Sequence, residues 1–416
     1  MRGVAFPSTG LILGVALILG AAVPGQAQDA RAHDELFESA WSTVRDQFYD
    51  RDLHGVDWEA TRDRYRARVR QAQTRVEACE VITEMLAELR ASHVAIVERG
   101  YYENHYDSEA KSLPAPMYGI AFASLDEGYF VASVLHGSSA AAAGVLRGDK
   151  VLSIDGQSPG PESLLPSPYD SGLGGTRYYH LPIREEGSEA VLELERFPRP
   201  RGRFHVTIQS VRWSQVEACR ESIQVVERHG VKLGYMRLYH LLTEDIVDML
   251  GDALARRFAD ADVQGVVVDL RGMGGLPVAV ERVLNYFDPN LPGGPLWGRP
   301  AVALIDGRTR SAKELLAFDW RQRRIGPIVG TTTRGAVLGA RFEPLQDGSF
   351  MLVPVMDMRS MTGGRVLERN GVAPDIEVTV DLAWSEGVDS IYEAGLEVLF
   401  DEVLAARRAG KEHGWR

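Results

Sequence analysis

Two loops of this chain leave apolar strands and run into helices, and their residue types suit acyl transfer: DLRGMGG over residues 269–275 and DGRTRSAKE over 306–314. A serine at a helix start, as Ser311 is, has its Oγ beside free backbone N–H groups and the positive end of the helix dipole, where a developing oxyanion is stabilised. The same position suits a helix-capping serine. Position alone therefore leaves Ser311 open between nucleophile and N-cap. Other chemistries lack their patterns: there is no His-Glu-x-x-His or Cys-x-x-Cys pair for zinc, no phosphate-cradling loop ending in Gly-Lys-Ser/Thr and no dinucleotide fingerprint after a strand, so neither a metal nor a cofactor is required.

The elements that must position these loops read as a multidomain α/β chain. Residues 30–105 form a helical domain, in which Phe37, Trp41, Val44 and Phe48, then Ile82, Met85, Leu86 and Leu89, recur at helical spacing. The stretch DWEATRDRYRARVR (57–70) between them alternates acids with bases and reads as a solvated helix face. Over 115–205 the period shifts to short strands punctuated by glycine, with a loop rich in Pro, Gly, Ser and Tyr inserted at 160–180. Residues 206–416 form a βαβ core with a C-terminal helix. Strands are expected at Lys232–Leu238, Gly265–Leu270, Ala301–Ile305 and Ile328–Gly330, and helices at Glu244–Phe258, Val278–Phe287 and Ser311–Gln322. A sheet covered on both faces places functional groups at strand C-terminal ends and helix N-termini.

With 416 residues, 45% hydrophobic and 25% charged, the chain can core two or three domains. Its net charge of −12, without a run of Lys or Arg, gives nucleic acid no electrostatic footing. One Arg, the apolar run Leu11–Val23 and small residues around Ala27 read as a secretory signal peptide over 1–27, which puts the mature protein outside the cytoplasm, periplasmic or extracellular, without a membrane span. Cys79 and Cys219 would find an oxidising compartment there, but they lie far apart in sequence; two buried thiols are the plain reading and a disulfide the alternative.

Specific motifs then carry a resemblance. Tyr118-Gly119-Ile120-Ala121, the short helix Ser138–Gly144, and Gly148-Asp149 before Val151–Ile154 resemble a PDZ domain, in which such a loop offers successive N–H groups to a peptide carboxylate and an exposed strand edge takes the peptide by β-addition. DLRGMGG, SAKE, VGTTTRGA and ERNGVAPDIEV resemble, in that order, the catalytic core of the carboxyl-terminal processing and tricorn-type serine peptidases, and the sequence of domains matches over most of the chain. The resemblance implies a crotonase/ClpP-like spiral core and makes Ser311 the nucleophile. Ala336 follows Gly335 where the Ser-Lys branch has its lysine, and Lys313, two residues from Ser311, points to a different side. The tricorn-like branch instead takes a His beside a Ser from the helical domain and a Glu from late in the core; the matching residues are His93, Ser92, which are expected to end a helix, and Glu368.

In that scheme His93 is the general base, while Ser92 and Glu368 fix its tautomer. The N–H groups of Ala312 and of Gly275, chosen over Gly274, form the oxyanion hole. Met273 stands where the family has an Asn, and Leu276 shortens its run of small residues. The implied substrates are exported peptides or unfolded proteins with free C-termini. The rival expectation is a catalytically inactive protein of the same fold that binds peptides or apolar ligands.

Overall fold

The computed structural model describes residues 24–160, 163–170, 175–197 and 202–410. The leader expected over 1–27 thus lies, up to Val23, outside the described residues. Among them, no helix is long and apolar enough to cross a membrane.

Helices Pro24–Gln47, Trp58–Gln71 and Arg75–Ala87 form the N-terminal layer. Asp57 caps the second through Ala60 N and Thr74 the third through Glu77 N. The stripe Phe37, Val44, Ile82, Met85 and Leu89 is fully buried. The charged face of the second helix does more than meet water: Arg62 grips Glu38, and Arg66 and Arg70 both grip Asp34, all on the first helix. Burial of the apolar stripe supplies most of the stability, since each exposed ion pair adds at most about 1 kcal/mol.

The third helix stops at Ala87, earlier than the sequence pattern indicates, so Ser92 and His93 lie in a loop rather than at a helix end. The backbone turns back at Arg90 and His93, where φ is 48° and 59°. The chain then enters the strand Ala95–Val97, which pairs antiparallel with the core strand Phe350–Asp357, Ile96 opposite Met351. This pairing docks the helical layer on the core, and Leu338, Met351 and Val353 of the core belong to the same apolar cluster as Phe37 and Ile82.

The middle module is a seven-stranded antiparallel sheet. Its order is Leu165–Pro166, Arg177–His180, Ile120–Leu125, Gly128–Val134, Lys150–Ile154, Glu189–Glu195, Arg203–Gln209. The 160–180 insertion contributes the first two of these strands, so it is partly sheet rather than loop.

In the core, strands Val231–Arg237, Gly265–Asp269, Ala301–Ile305, Ile328–Gly330 and Ile376–Glu377 run parallel in that order, with Gln224–Arg228 antiparallel at one edge. The run GVVVD is buried throughout because alternate residues serve different layers. Val266 and Val268 pack with Leu250 and Leu316 on one face, and Val267 packs with Leu399 and Val403 of the C-terminal helix Ser390–Arg408 on the other. Strands buried on both faces read as continuous apolar runs for this reason. Helix 244–260 contains a π-type turn at Ala253–Arg257. Cys79 and Cys219 are both free thiols, in different layers.

Candidate active site

Ser311 is the residue before helix Ala312–Gln322, with φ 56° and ψ −129°. An ordinary capping serine has an extended backbone; this geometry is strained for a side chain and costs roughly 1–3 kcal/mol unless surroundings enforce it. Two acceptors enforce it: Ser311 N–H donates to Ala336 O at 2.8 Å and to Glu314 Oε2 at 3.1 Å. Glu314, fully buried, also accepts from Thr333 Oγ1 and from the N–H groups of Gly335 and Ala336. One carboxylate thus ties the helix start to the 333–336 turn. Burial pushes its pKa up to about 7 against the pull of these donors.

The glycine loop packs on Ser311 from the other side. A Cβ on Gly274 would lie 2.5 Å from Ser311 Cβ, and one on Gly275 would lie 2.1 Å from the Leu241 carbonyl carbon, so only glycine fits at either. Leu241 N donates to Gly274 O and Leu276 N to Leu241 O, both at 2.8 Å, which fastens the loop to the exit of strand Val231–Arg237. Among the described residues, the N–H groups of Gly275 and Ala312 donate to no protein group, and both residues line a cavity of about 160 Å³ with Ser311.

His93 lines that cavity too. Its Nδ1 is 2.7 Å from Ser92 Oγ, and Ser92 Oγ donates to Glu368 Oε2 at 3.0 Å. Glu368 further accepts from Ser92 N and Val337 N, each at 2.8 Å. Direction follows from valence. With its one proton given to the carboxylate, Ser92 Oγ can only accept from His93 Nδ1–H, which leaves Nε2 as a lone pair. Burial, with the Arg310 charge adding to it, holds the imidazole well below the usual histidine range, so it is neutral at pH 7. Burial raises the pKa of Glu368, and its three donors only partly offset this. No hydrogen bond joins His93 to Ser311 directly among the described residues; such contacts commonly tighten only when substrate is bound.

Lys313 points away from the cavity, as its spacing from Ser311 indicates. Fully buried, its Nζ donates to Leu238 O, to Tyr239 O at 2.9 Å and to Arg271 O at 3.4 Å, and burial brings it down to about 7. Met273 lies in the cavity wall.

Tyr118, Gly119, Ile120 and Ala121 line a second cavity of about 210 Å³ between the middle module and the core. The strand edge expected to take a peptide is not open along its length. Arg177–His180 already pairs antiparallel with it, Phe122 opposite Tyr179 and Ser124 opposite Arg177, leaving only the Tyr118–Ala121 end free of this strand. The insertion that supplies this strand is clamped beside Ser311: Arg310 donates to Tyr169 O at 2.8 Å and stacks on the Tyr169 ring, and Arg308 stacks on Tyr178. Reading from the sequence passes over Glu314, Arg310 and Tyr169. Only Glu314 carries a visible signal, the Ser-x-x-Glu capping pattern of Ser311 and Glu314.

Comparisons with known proteins agree with this layout. Residues 29–87 match the Tricorn protease C1 domain, 108–159 the PDZ domain and 285–378 the Peptidase family S41 domain. The chain is 25% identical over 415 residues to tricorn protease homolog 1 of Streptomyces coelicolor, covering 91% of this chain and 35% of that protein. It is 24% identical to the carboxyl-terminal-processing protease of Picosynechococcus sp., covering 90% and 91%. It therefore spans about a third of the length of its tricorn relatives (35% and 36%). In fold it resembles a photosystem II D1 C-terminal processing protease, with TM-score 0.53, 20% identity and coverage of 88% and 97%. With tricorn protease the TM-score is 0.51 at 19% identity, covering 89% of this chain and 37% of that one. By this order of domains, the chain carries segments matching the Tricorn protease C1, PDZ and Peptidase family S41 domains, and is similar to tricorn and carboxyl-terminal-processing proteases.

Proposed function

We propose that this chain hydrolyses peptide bonds through an acyl-enzyme on Ser311. The observation that carries the reading is the hydrogen-bonded line Glu368–Ser92–His93 ending in the cavity that holds Ser311. Ser311 Oγ attacks the scissile carbonyl carbon while His93 Nε2 takes its proton. The carbonyl oxygen, now an oxyanion, accepts from the N–H groups of Gly275 and Ala312. Collapse expels the amine, to which His93 returns the proton. A water then attacks the ester, and the same base serves it.

The line to Glu368 keeps the base unprotonated at Nε2 and offsets the charge that builds on an otherwise dry imidazole. The substrate class is peptides and unfolded proteins whose free C-terminus meets the backbone N–H groups of Tyr118–Ala121. The charged, apolar and small-residue order of residues 1–27 supports export, and action outside the cytoplasm, for the mature chain.

A fluorophosphonate probe tests the reading on protein lacking residues 1–27. Labelling of the wild type that is lost in Ser311→Ala and in His93→Ala is the expected result. Folded wild type that binds peptide yet never labels would instead establish a binding protein of the same fold.

A further inference from the structure

The cavity between the middle module and the core has a one-sided charge. Among the described residues, five arginines line it, Arg184, Arg237, Arg308, Arg310 and Arg334, and no aspartate or glutamate does, in a chain whose net charge is −12. Of these, Arg184 pairs with Asp155 at 2.8 Å, Arg308 rests on the Tyr178 ring, and Arg310 holds Tyr169.

Arg237 differs. It ends strand Val231–Arg237, is 9% exposed, and lies over the Tyr239 ring at 4.6 Å. Its side chain makes no hydrogen bond among the described residues, and its Nε is buried without a hydrogen-bond partner. The nearest carboxylate, Asp269, stands 3.9 Å away and is already taken by the Arg271 guanidinium at 2.6 Å and by Tyr235 Oη at 2.7 Å. A buried guanidinium with unused donors facing a cavity is a fork for a planar, two-oxygen acceptor.

We propose that this cavity binds an acidic peptide segment, with Arg237 taking an aspartate or glutamate side-chain carboxylate in a two-pronged hydrogen bond. The inference rests on the peptidase reading and narrows its substrate class. A side chain fits better than a terminal carboxylate, because the loop expected to take a terminus is Tyr118–Ala121 of the middle module, whereas Arg237 belongs to the core. A peptide fits better than a bare inorganic anion, because Met117, Leu135, Leu181 and Tyr179 supply apolar wall. The cavity shares Tyr169, Met273 and Arg310 with the one holding Ser311, so a peptide anchored here continues toward the nucleophile.

Calorimetric titration of Ser311→Ala protein with short peptides tests this without turnover. Each peptide is compared with a twin carrying Gln for Glu or Asn for Asp, and with a twin whose C-terminus is an amide. The acidic peptide should bind at least about tenfold more tightly than its neutral-side-chain twin. That difference should vanish in Arg237→Gln and shrink in Arg237→Lys. Should Arg237→Gln fail to fold, Arg308→Gln, which leaves the Asp269 cluster intact, is expected to reduce the same difference.

Equal affinity of acidic and neutral twins overturns the proposal, as does a preference that follows only the free terminus or survives in the folded Arg237→Gln protein. In those cases the peptidase reading stands; failure of every peptide to bind Ser311→Ala protein, together with failure of the wild type to cleave them, removes both.

Discussion

In the proposed reaction, Glu368 is the residue that sets the chemistry of the site. It touches neither nucleophile nor substrate cavity directly, yet its charge decides which nitrogen of His93 carries the proton, through the single hydroxyl of Ser92. Glu368→Gln replaces an acceptor-only group with one that can present an N–H to Ser92 Oγ, after which Ser92 can donate to Nδ1 and the proton moves to Nε2. Its kcat is expected to fall about 10²-fold or more, as when other triads lose the carboxylate. Glu368 is raised by burial and His93 lowered, so both take their active forms, carboxylate and neutral imidazole, above their pKa values. Activity is thus expected to be lost as pH falls and either group takes up a proton. In Glu368→Gln the Glu368 step should be missing from the acid limb, leaving only that of His93, and a kcat/KM profile on both proteins checks the change. An unmoved acid limb would assign it to another group.

Among the elements, the strand Arg177–His180 has the largest bearing on how substrate enters. It lies antiparallel on Ile120–Leu125, along the edge where an incoming peptide would add, and its insertion is tied beside Ser311 through Tyr169 and Arg310. Peptide addition beyond Ala121 therefore competes with a strand of the chain itself. Proline lacks the ladder donor and is not accommodated within a paired strand. Tyr179→Pro should unpair the strand from Phe122 and raise the affinity of Ser311→Ala protein for a free-acid peptide several-fold, read by fluorescence anisotropy. Unchanged affinity would mean that the strand and the peptide do not share the edge.

For the molecule as a whole, the segment from Asp381 to Asp389 couples the middle module to the core. Arg147 Nη1 donates to Ser385 Oγ and Val388 O, Trp384 N donates to Gly148 O, and Trp384 stacks edge-on against Phe130. Gly148 has φ 88°, and a Cβ there would lie 2.3 Å from Ser385 Oγ and 2.5 Å from Ser385 N. Gly148→Ala adds roughly 1–2 kcal/mol of backbone strain, and the clash pushes the segment away. The expected outcome in scanning calorimetry is a separate, earlier transition for the middle module. A single transition at the wild-type temperature would show that other contacts carry the coupling.

Local patterning determined much of this protein. GVVVD and AVALI are buried throughout as their unbroken apolar runs require, the Phe37, Trp41, Val44, Phe48 stripe is core, and Ser311 stands at a helix start below a glycine loop because strand exits and helix entries are written in short-range residue order. The types and order of Ser92, His93 and Glu368 were legible in the same way, through motif resemblance. What tertiary structure alone decided are the relations between residues far apart in the chain. Ile96 pairs with Met351, and that ladder carries His93 to the cavity of Ser311. Phe122 pairs with Tyr179, and that ladder covers an edge which local sequence leaves open. Arg237 meets an Asp269 already satisfied by Arg271 and Tyr235, and so keeps its donors for the cavity. Strand partners and the occupancy of an acceptor depend on which surfaces close together when the core is buried, and no local residue pattern encodes that closure.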